Sequence, residues 1–274
     1  MPRRLFIIFI AAVFCIAAVL SSCAKNDPGT QGEMTETAAT SDVSSESTQN
    51  GSDLNESAGY AVSAETYVDE IGADDGGILV TIDISVPHVE GTGENEMNIN
   101  DYYDNIYEKE INYAAIDLAT LAQDAVTTSG GENFRPYYFA SYYHVTRNDD
   151  LAFSVVRSTS EFTGGVSESE RMAAETFFMS GGKAALSDIF KVGQDEYMKV
   201  ITGKVREKIK KAPDDYFPNA AEDIENVYDT GDFYLTNDAL VVFFNTYAIA
   251  PYTTGIVTVE IPYEEISEML SLAF

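Results

Sequence analysis

Apolar and polar positions along the chain alternate with two periods. Ile78, Val80, Ile82, Ile84 and Val86 interleave with Thr81, Asp83 and Ser85, the period of a strand with one buried face. Asp74-Asp75-Gly76-Gly77 just before them reads as a hairpin turn, with a first strand over 64–71. The period then lengthens. Tyr103, Tyr107, Ile111, Ala114, Leu118, Leu121 and Ala125 follow at steps of four or three, which predicts a long helix with one core-facing stripe. Asn98 or Asn100 is expected to cap its start, and Gly130-Gly131 to end it. Strands are predicted over 137–146 and 151–159 around the polar turn Arg147-Asn148-Asp149-Asp150, and a third over 175–180 before Gly181-Gly182. A second helix over 195–211 turns Met198, Ile201, Val205 and Ile209 inward and Lys204, Lys208 and Lys211 outward. A short helix over 220–227, a hairpin of 233–235 with 240–244 around Asn237-Asp238, and a strand over 256–261 complete the pattern. The chain then enters a terminal helix begun by Pro262, with Glu264 and Glu265 in its first turn. Strands and helices do not alternate as in a parallel sheet, so the predicted class is α+β. It comprises a mainly antiparallel sheet, one long helix in the N-terminal half, a mid-domain amphipathic helix and a short C-terminal helix. Residues 60–130 are expected to form an N-terminal α+β subdomain and 131–274 a C-terminal one.

The start of the chain has a different character. Arg3 and Arg4 precede an apolar run from Leu5 to Leu20, which stops at Leu20-Ser21-Ser22-Cys23. A basic head, a short apolar stretch and small residues read as an export signal over 1–22. The run is shorter than the roughly 20 residues a helix needs to span the hydrocarbon core. Leucine, two small residues and cysteine resemble a bacterial lipobox, which implies lipidation of Cys23 and attachment to a membrane through acyl chains. Residues 24–59 are mostly Ser, Thr, Glu, Gly, Asn and Gln. So few apolar side chains cannot offset the entropy of ordering, and 23–59 is expected to act as a lipidated tether reaching about 30 to 35 Å.

Composition narrows the chemistry. Cys15 and Cys23 are the two cysteines, and neither would remain as a free thiol in the mature domain. Disulfides, thiolate metal sites and cysteine nucleophiles are thereby excluded from it. Residues 60–274 hold 38 acidic and 13 basic side chains, a net of −25. Such a field disfavours nucleic acid and suits cationic partners, although solubility alone also accounts for it. His88 and His144 read as structural or solvated, because nothing at ligand spacing accompanies them. Asp74-Asp75-Gly76, Asn148-Asp149-Asp150 and Asn237-Asp238 lack the length and order of a calcium loop. No cofactor, metal or catalytic residue is expected. Six of the basic residues fall between Lys199 and Lys211, a solvated helix face by default and a site for an anionic wall polymer as the alternative.

Thr163-Gly164-Gly165, Leu186-Ser187-Asp188-Ile189-Phe190, Phe233-Tyr234-Leu235-Thr236-Asn237-Asp238-Ala239-Leu240, Tyr247-Ala248-Ile249-Ala250-Pro251-Tyr252, Gly255-Ile256 and Ile261-Pro262-Tyr263 occur in an order and spacing that resembles the RsiV-type extracellular domain family. The first half is similar to the small domain that usually precedes it. That family is found in the ectodomain of a lysozyme-sensing anti-sigma factor and ahead of some peptidoglycan deacetylase domains. Its members commonly follow the two glycines with Ala-His, where this chain has Val166-Ser167, so that histidine's role is not carried over. With Phe274 as the last residue and four residues before the apolar run, neither a deacetylase domain nor a cytoplasmic sensing segment is expected. Tyr247, Pro251 and Tyr252 are the candidate partner contacts, because aromatics on an irregular segment offer large area at low entropic cost. They equally suit plain packing between a hairpin and the next strand. The resemblance implies a lipid-anchored module on the extracytoplasmic side of the cell envelope that binds a lysozyme-like cationic protein or peptidoglycan and does not catalyse a reaction. The alternatives are a wall-glycan hydrolase using paired carboxylates and a structural envelope-assembly lipoprotein.

Overall fold

The period-two stretch forms the centre of the first half. In the computed structural model, which describes residues 59–73, 76–131 and 133–274, Val62–Gly72 (β1) pairs antiparallel with Ile78–Val89 (β2). Val80, Ile82, Ile84 and Val86 are buried, as the alternation requires, whereas Ile78, expected with them, is 39% exposed at the strand's start. The described residues lie in one unit spanning Leu54–Phe274. The export signal, Cys23, the tether up to residue 58 and the Asp74-Asp75 pair lie outside the described residues.

The long helix is continuous but not uniform. It runs through α1 (Glu94–Asn112), a π-helical segment (Tyr113–Leu118) and α2 (Ala119–Ser129), and ends at Gly130 in the left-handed conformation with φ of 69°. The π segment adds a residue to the turn and so rotates the apolar stripe. The expectation for Leu121 is therefore corrected: it is 49% exposed, and Ala122 is buried in its place. The expected caps are also corrected. The helix begins at Glu94 with Gly93 as N-cap. Asn100 instead uses its amide on the backbone of Val89, accepting from the N–H at 2.8 Å and donating to the carbonyl at 2.9 Å. It thereby closes the end of β2 from the helix.

Parallel strands need a long crossover, and this helix supplies it. β2 pairs parallel with Tyr137–Asn148 (β3), from Val80↔Tyr137 to Ile84↔Ser141. Antiparallel partners then follow: Ala152–Phe162 (β4), Ser169–Phe178 (β5) and Gly181–Lys183 (β6), giving one sheet in chain order β1 to β6. The sheet thus runs across residue 130. β5 starts at Ser169, six residues before the predicted strand, because its first residues are exposed and polar. Gly181-Gly182, expected as a turn, lies within β6, with Gly181 opposite Phe178. Asn148 repeats the device of Asn100, bonding both the N–H and the carbonyl of Tyr60 at 2.8 Å.

The second half adds Leu186–Ile189 (α3), Gln194–Lys211 (α4), Ala220–Val227 (α5), Phe233–Leu235 (β7), Ala239–Phe244 (β8), Val257–Pro262 (β9) and Tyr263–Ile266 (α6). The antiparallel sheet β7-β8-β9 is separate from the first. Every residue of β8 is buried. Leu240, Val242 and Phe244 join α4 and α5 in one core, while Phe243 packs with Val156 and Ala174 of the first sheet. Polar bonds reinforce the junction: Leu235 N–H donates to Ser154 Oγ at 3.0 Å, and Thr146 Oγ1 donates to the Leu235 carbonyl at 2.8 Å. The long helix covers the other face of the first sheet through Ile99, Tyr103, Ala114, Leu118 and Ala122. The architecture is α+β, as the pattern predicts.

Asp232, at the start of the second sheet, carries a pH signature. Burial, with Asp229 beside it, pushes its carboxyl up to about 6 against the opposing pull of Arg171. An acid whose folded pKa is raised favours the fold while both states are protonated, and that advantage is lost as the unfolded state ionises above its ordinary 3.8. Asp232→Asn is therefore expected to raise the melting temperature at pH 7 and to leave it unchanged at pH 3. Equal gains at both would remove the titration from the account.

Candidate partner-binding site

The segment between β8 and β9 is irregular but held at several points. Asn245 accepts from Met172 N–H at 2.7 Å and donates to its carbonyl at 3.0 Å, fixing the segment to β5. Phe217 N–H donates to the Ile249 carbonyl at 3.0 Å, and Thr254 Oγ1 to the Asp215 carbonyl at 3.0 Å, which attaches the Pro213–Pro218 stretch. Ile249 and Ala250 are buried beneath. The segment is thus a loop on a rigid support.

Tyr247, Pro251 and Tyr252 occupy this loop. Tyr247 is 64% exposed and adopts φ of 68°, a left-handed conformation that costs a non-glycine residue roughly 1–2 kcal/mol. Its ring lies 5.8 Å from that of Tyr252. Pro251 and Tyr252 are half-buried, and the Tyr252 hydroxyl donates to the Glu168 carbonyl at 2.5 Å. That bond joins the β8–β9 loop to the β4–β5 turn, where Gly164 and Gly165 have φ of 85° and 102° and Val166 stands fully exposed. The Glu168 carboxylate accepts from Ser160 at 2.9 Å and from the Tyr138 hydroxyl. Sequence reasoning missed Phe217, 38% exposed beside the loop, and missed Asn245 and Glu168. The roles of Asn245 and Glu168 rest on contacts 73 and 84 residues apart in the chain, and that of Phe217 on its bond to Ile249, none of which local spacing encodes.

Carboxylates also meet in the interior. Arg157 on β4 donates through Nη2 and Nε to Glu175 at 3.1 and 3.3 Å and through Nη1 to Glu110 of α1 at 2.9 Å. Burial holds the Glu110 carboxyl above its ordinary range, and Glu175 adds to the rise while Arg157 opposes it. The second oxygen of Glu110 is buried, and the Ser141 hydroxyl beside the carboxyl also opposes the rise. On α4, Lys204 pairs with Glu265 and Arg206 with Glu225, so part of the basic run serves the fold. Among the described residues no group of His, Cys, Asp and Glu is arranged to hold a metal ion, and no helix is long and apolar enough to cross a membrane.

Four of the motif segments read in the sequence lie wholly within residues 187–264, around the loop just described. Residues 187–264 match DUF3298, described as a protein of unknown function. The DUF3298 match takes in the Phe233–Leu240 hairpin and the Tyr247–Tyr252 loop but not the Gly164-Gly165 turn. No curated protein sequence matches the chain. Several solved structures are similar in fold, among them two of DUF3298 proteins. A DUF3298 family member from Bacteroides fragilis is 17% identical with a TM-score of 0.59, covering 79% of this chain and 96% of its own. A DUF3298 family protein from Pseudomonas aeruginosa is 14% identical with a TM-score of 0.52, covering 78% and 96%. At these identities the likeness is one of fold.

Proposed function

We propose that the chain is a lipid-anchored binding module of the cell envelope, attached through Cys23, facing the extracytoplasmic side and recognising a lysozyme-like cationic protein or peptidoglycan. The observation that carries recognition is Tyr247, an exposed aromatic held in a strained backbone conformation on a loop fixed by Asn245, Phe217 and Tyr252. Strain kept at an exposed position is characteristic of ligand contacts. The RsiV-type resemblance motivates the ligands, and the net charge of −25 over 60–274 suits a cationic one. Glu110 and Glu175 meet in the interior, but both grip Arg157 beneath the helix and so serve the fold.

The test is titration of the full chain with lysozyme and, separately, with peptidoglycan fragments at low and physiological salt. Tyr247→Ala is expected to weaken the binding by about tenfold or more, as loss of a central aromatic contact does. Tyr247→Gly, which relieves the left-handed strain, is expected to weaken it as much while leaving the fold as stable or more so. Absence of saturable binding to either ligand would discard the reading.

A further inference from the structure

The first sheet is covered unevenly. The β7-β8-β9 sheet packs on β4 and β5 through Phe243, Val156 and Ala174, whereas the same face over β1, β2 and β3 holds a shallow groove of about 330 Å³. Pairing fixes which side chains look into it. Val68, Asp83 and Ala140 share one cross-strand row, and Glu70, Thr81 and Tyr138 share the next. Thr81 and Ala140 are short, so they form a floor between taller neighbours. Val68 is 73% exposed and Tyr142 49% exposed, two large side chains lining the same groove. The Tyr142 hydroxyl donates to Asp83 at 2.6 Å and so stands beside the carboxylate.

The charge around the groove lacks a counterpart. Asp69, Glu70 and Asp83 line it, and among the described residues no lysine or arginine pairs with any of them. Residues 60–131 hold 15 acidic side chains and one basic one, Lys109, a net of −14. A bare ion would use the carboxylates but not Val68 or the Tyr142 ring. A lysine or arginine side chain uses both, laying its methylene stem on apolar surface and its charge on carboxylates and ring.

We infer that the open face of β1, β2 and β3 is a docking groove for a basic polypeptide segment, whose lysine or arginine side chains lie between Val68 and Tyr142 and pair with Asp83 and Glu70. Tyr138 links the groove through Glu168 to the turn that holds Tyr252, but Tyr247 does not line the groove, so the test of the groove is separable from that of the loop. The probe is a capped hexalysine peptide titrated into the full chain, with chitotetraose as the glycan arm. Hexalysine is expected to bind and to weaken as salt rises from about 20 to about 200 mM. Asp83→Asn with Glu70→Gln is expected to weaken it about tenfold, against less than about twofold for the charge-matched Asp101→Asn with Asp104→Asn on the long helix. Val68→Lys, which supplies a tethered cation beside Asp83, is expected to block the peptide, and Tyr247→Ala to leave it unaffected. Equal losses in the groove and control variants would mean a diffuse field and overturn the inference, as would no hexalysine binding. Chitotetraose binding that Val68→Lys abolishes, in place of hexalysine binding, would reassign the groove to glycans.

Discussion

Replacing Arg157 with alanine is expected to destabilise the protein by about 3–5 kcal/mol, the cost of leaving buried carboxylates without their counter-charge. Arg157 is 9% exposed and supplies three hydrogen bonds to Glu110 and Glu175. Without it, both acids face each other beneath the long helix and can relieve the repulsion by taking up protons. Glu110, already raised by burial, would rise further once Arg157 no longer opposes it, so the variant's deficit should be largest at neutral pH and shrink towards pH 4. Urea denaturation at both pH values reads this. Removing all three charges, by Arg157→Met with Glu110→Gln and Glu175→Gln, is expected to recover most of the loss. A deficit independent of pH would mean that Arg157 acts through packing alone.

The second large effect is expected at Phe243. Its ring is fully buried between the two sheets, against Val156, Ala174 and Tyr234. Phe243→Ala should cost about 3–5 kcal/mol through lost burial and the cavity left behind. Phe244→Ala, on the other face of the same strand, should cost a similar amount by opening the core with α4 and α5. The two differ in where protection is lost: amide exchange in the Phe243 variant should quicken along β4 and β5, and in the Phe244 variant along α4. Loss below about 1 kcal/mol at Phe243 would show that the junction is held by Ser154, Thr146 and Leu235 instead.

These two residues illustrate what a single sequence makes legible. The alternation over 78–86 identifies β2 and its buried face because one face is covered by a helix and the other is partly open, and Ala239–Phe244 is apolar throughout because both faces are covered. Short-range signals placed α4, α5 and the β7–β8 hairpin closely. The signals failed where the physics is not periodic. The π segment left no mark in the spacing that would move the stripe from Leu121 to Ala122. The start of β5 is polar because it projects into solvent. Asn98 and Asn100 look like caps, yet the amide of Asn100 serves a strand end eleven residues back. The site was legible only in part: aromatic loop residues are visible as such, but the bond that brings Tyr252 to Glu168 follows from tertiary packing.

Asn100, Asn148 and Asn245 share one trait with a chemical consequence. Each amide accepts from the N–H and donates to the carbonyl of one residue, Val89, Tyr60 and Met172 respectively. Deamidation would exchange the donating nitrogen for a second acceptor and set a negative charge against a carbonyl oxygen. The protein therefore carries three latches that close only as amides, and the one at Asn245 makes the shape of the aromatic loop depend on a single side chain at its start, bonded to β5.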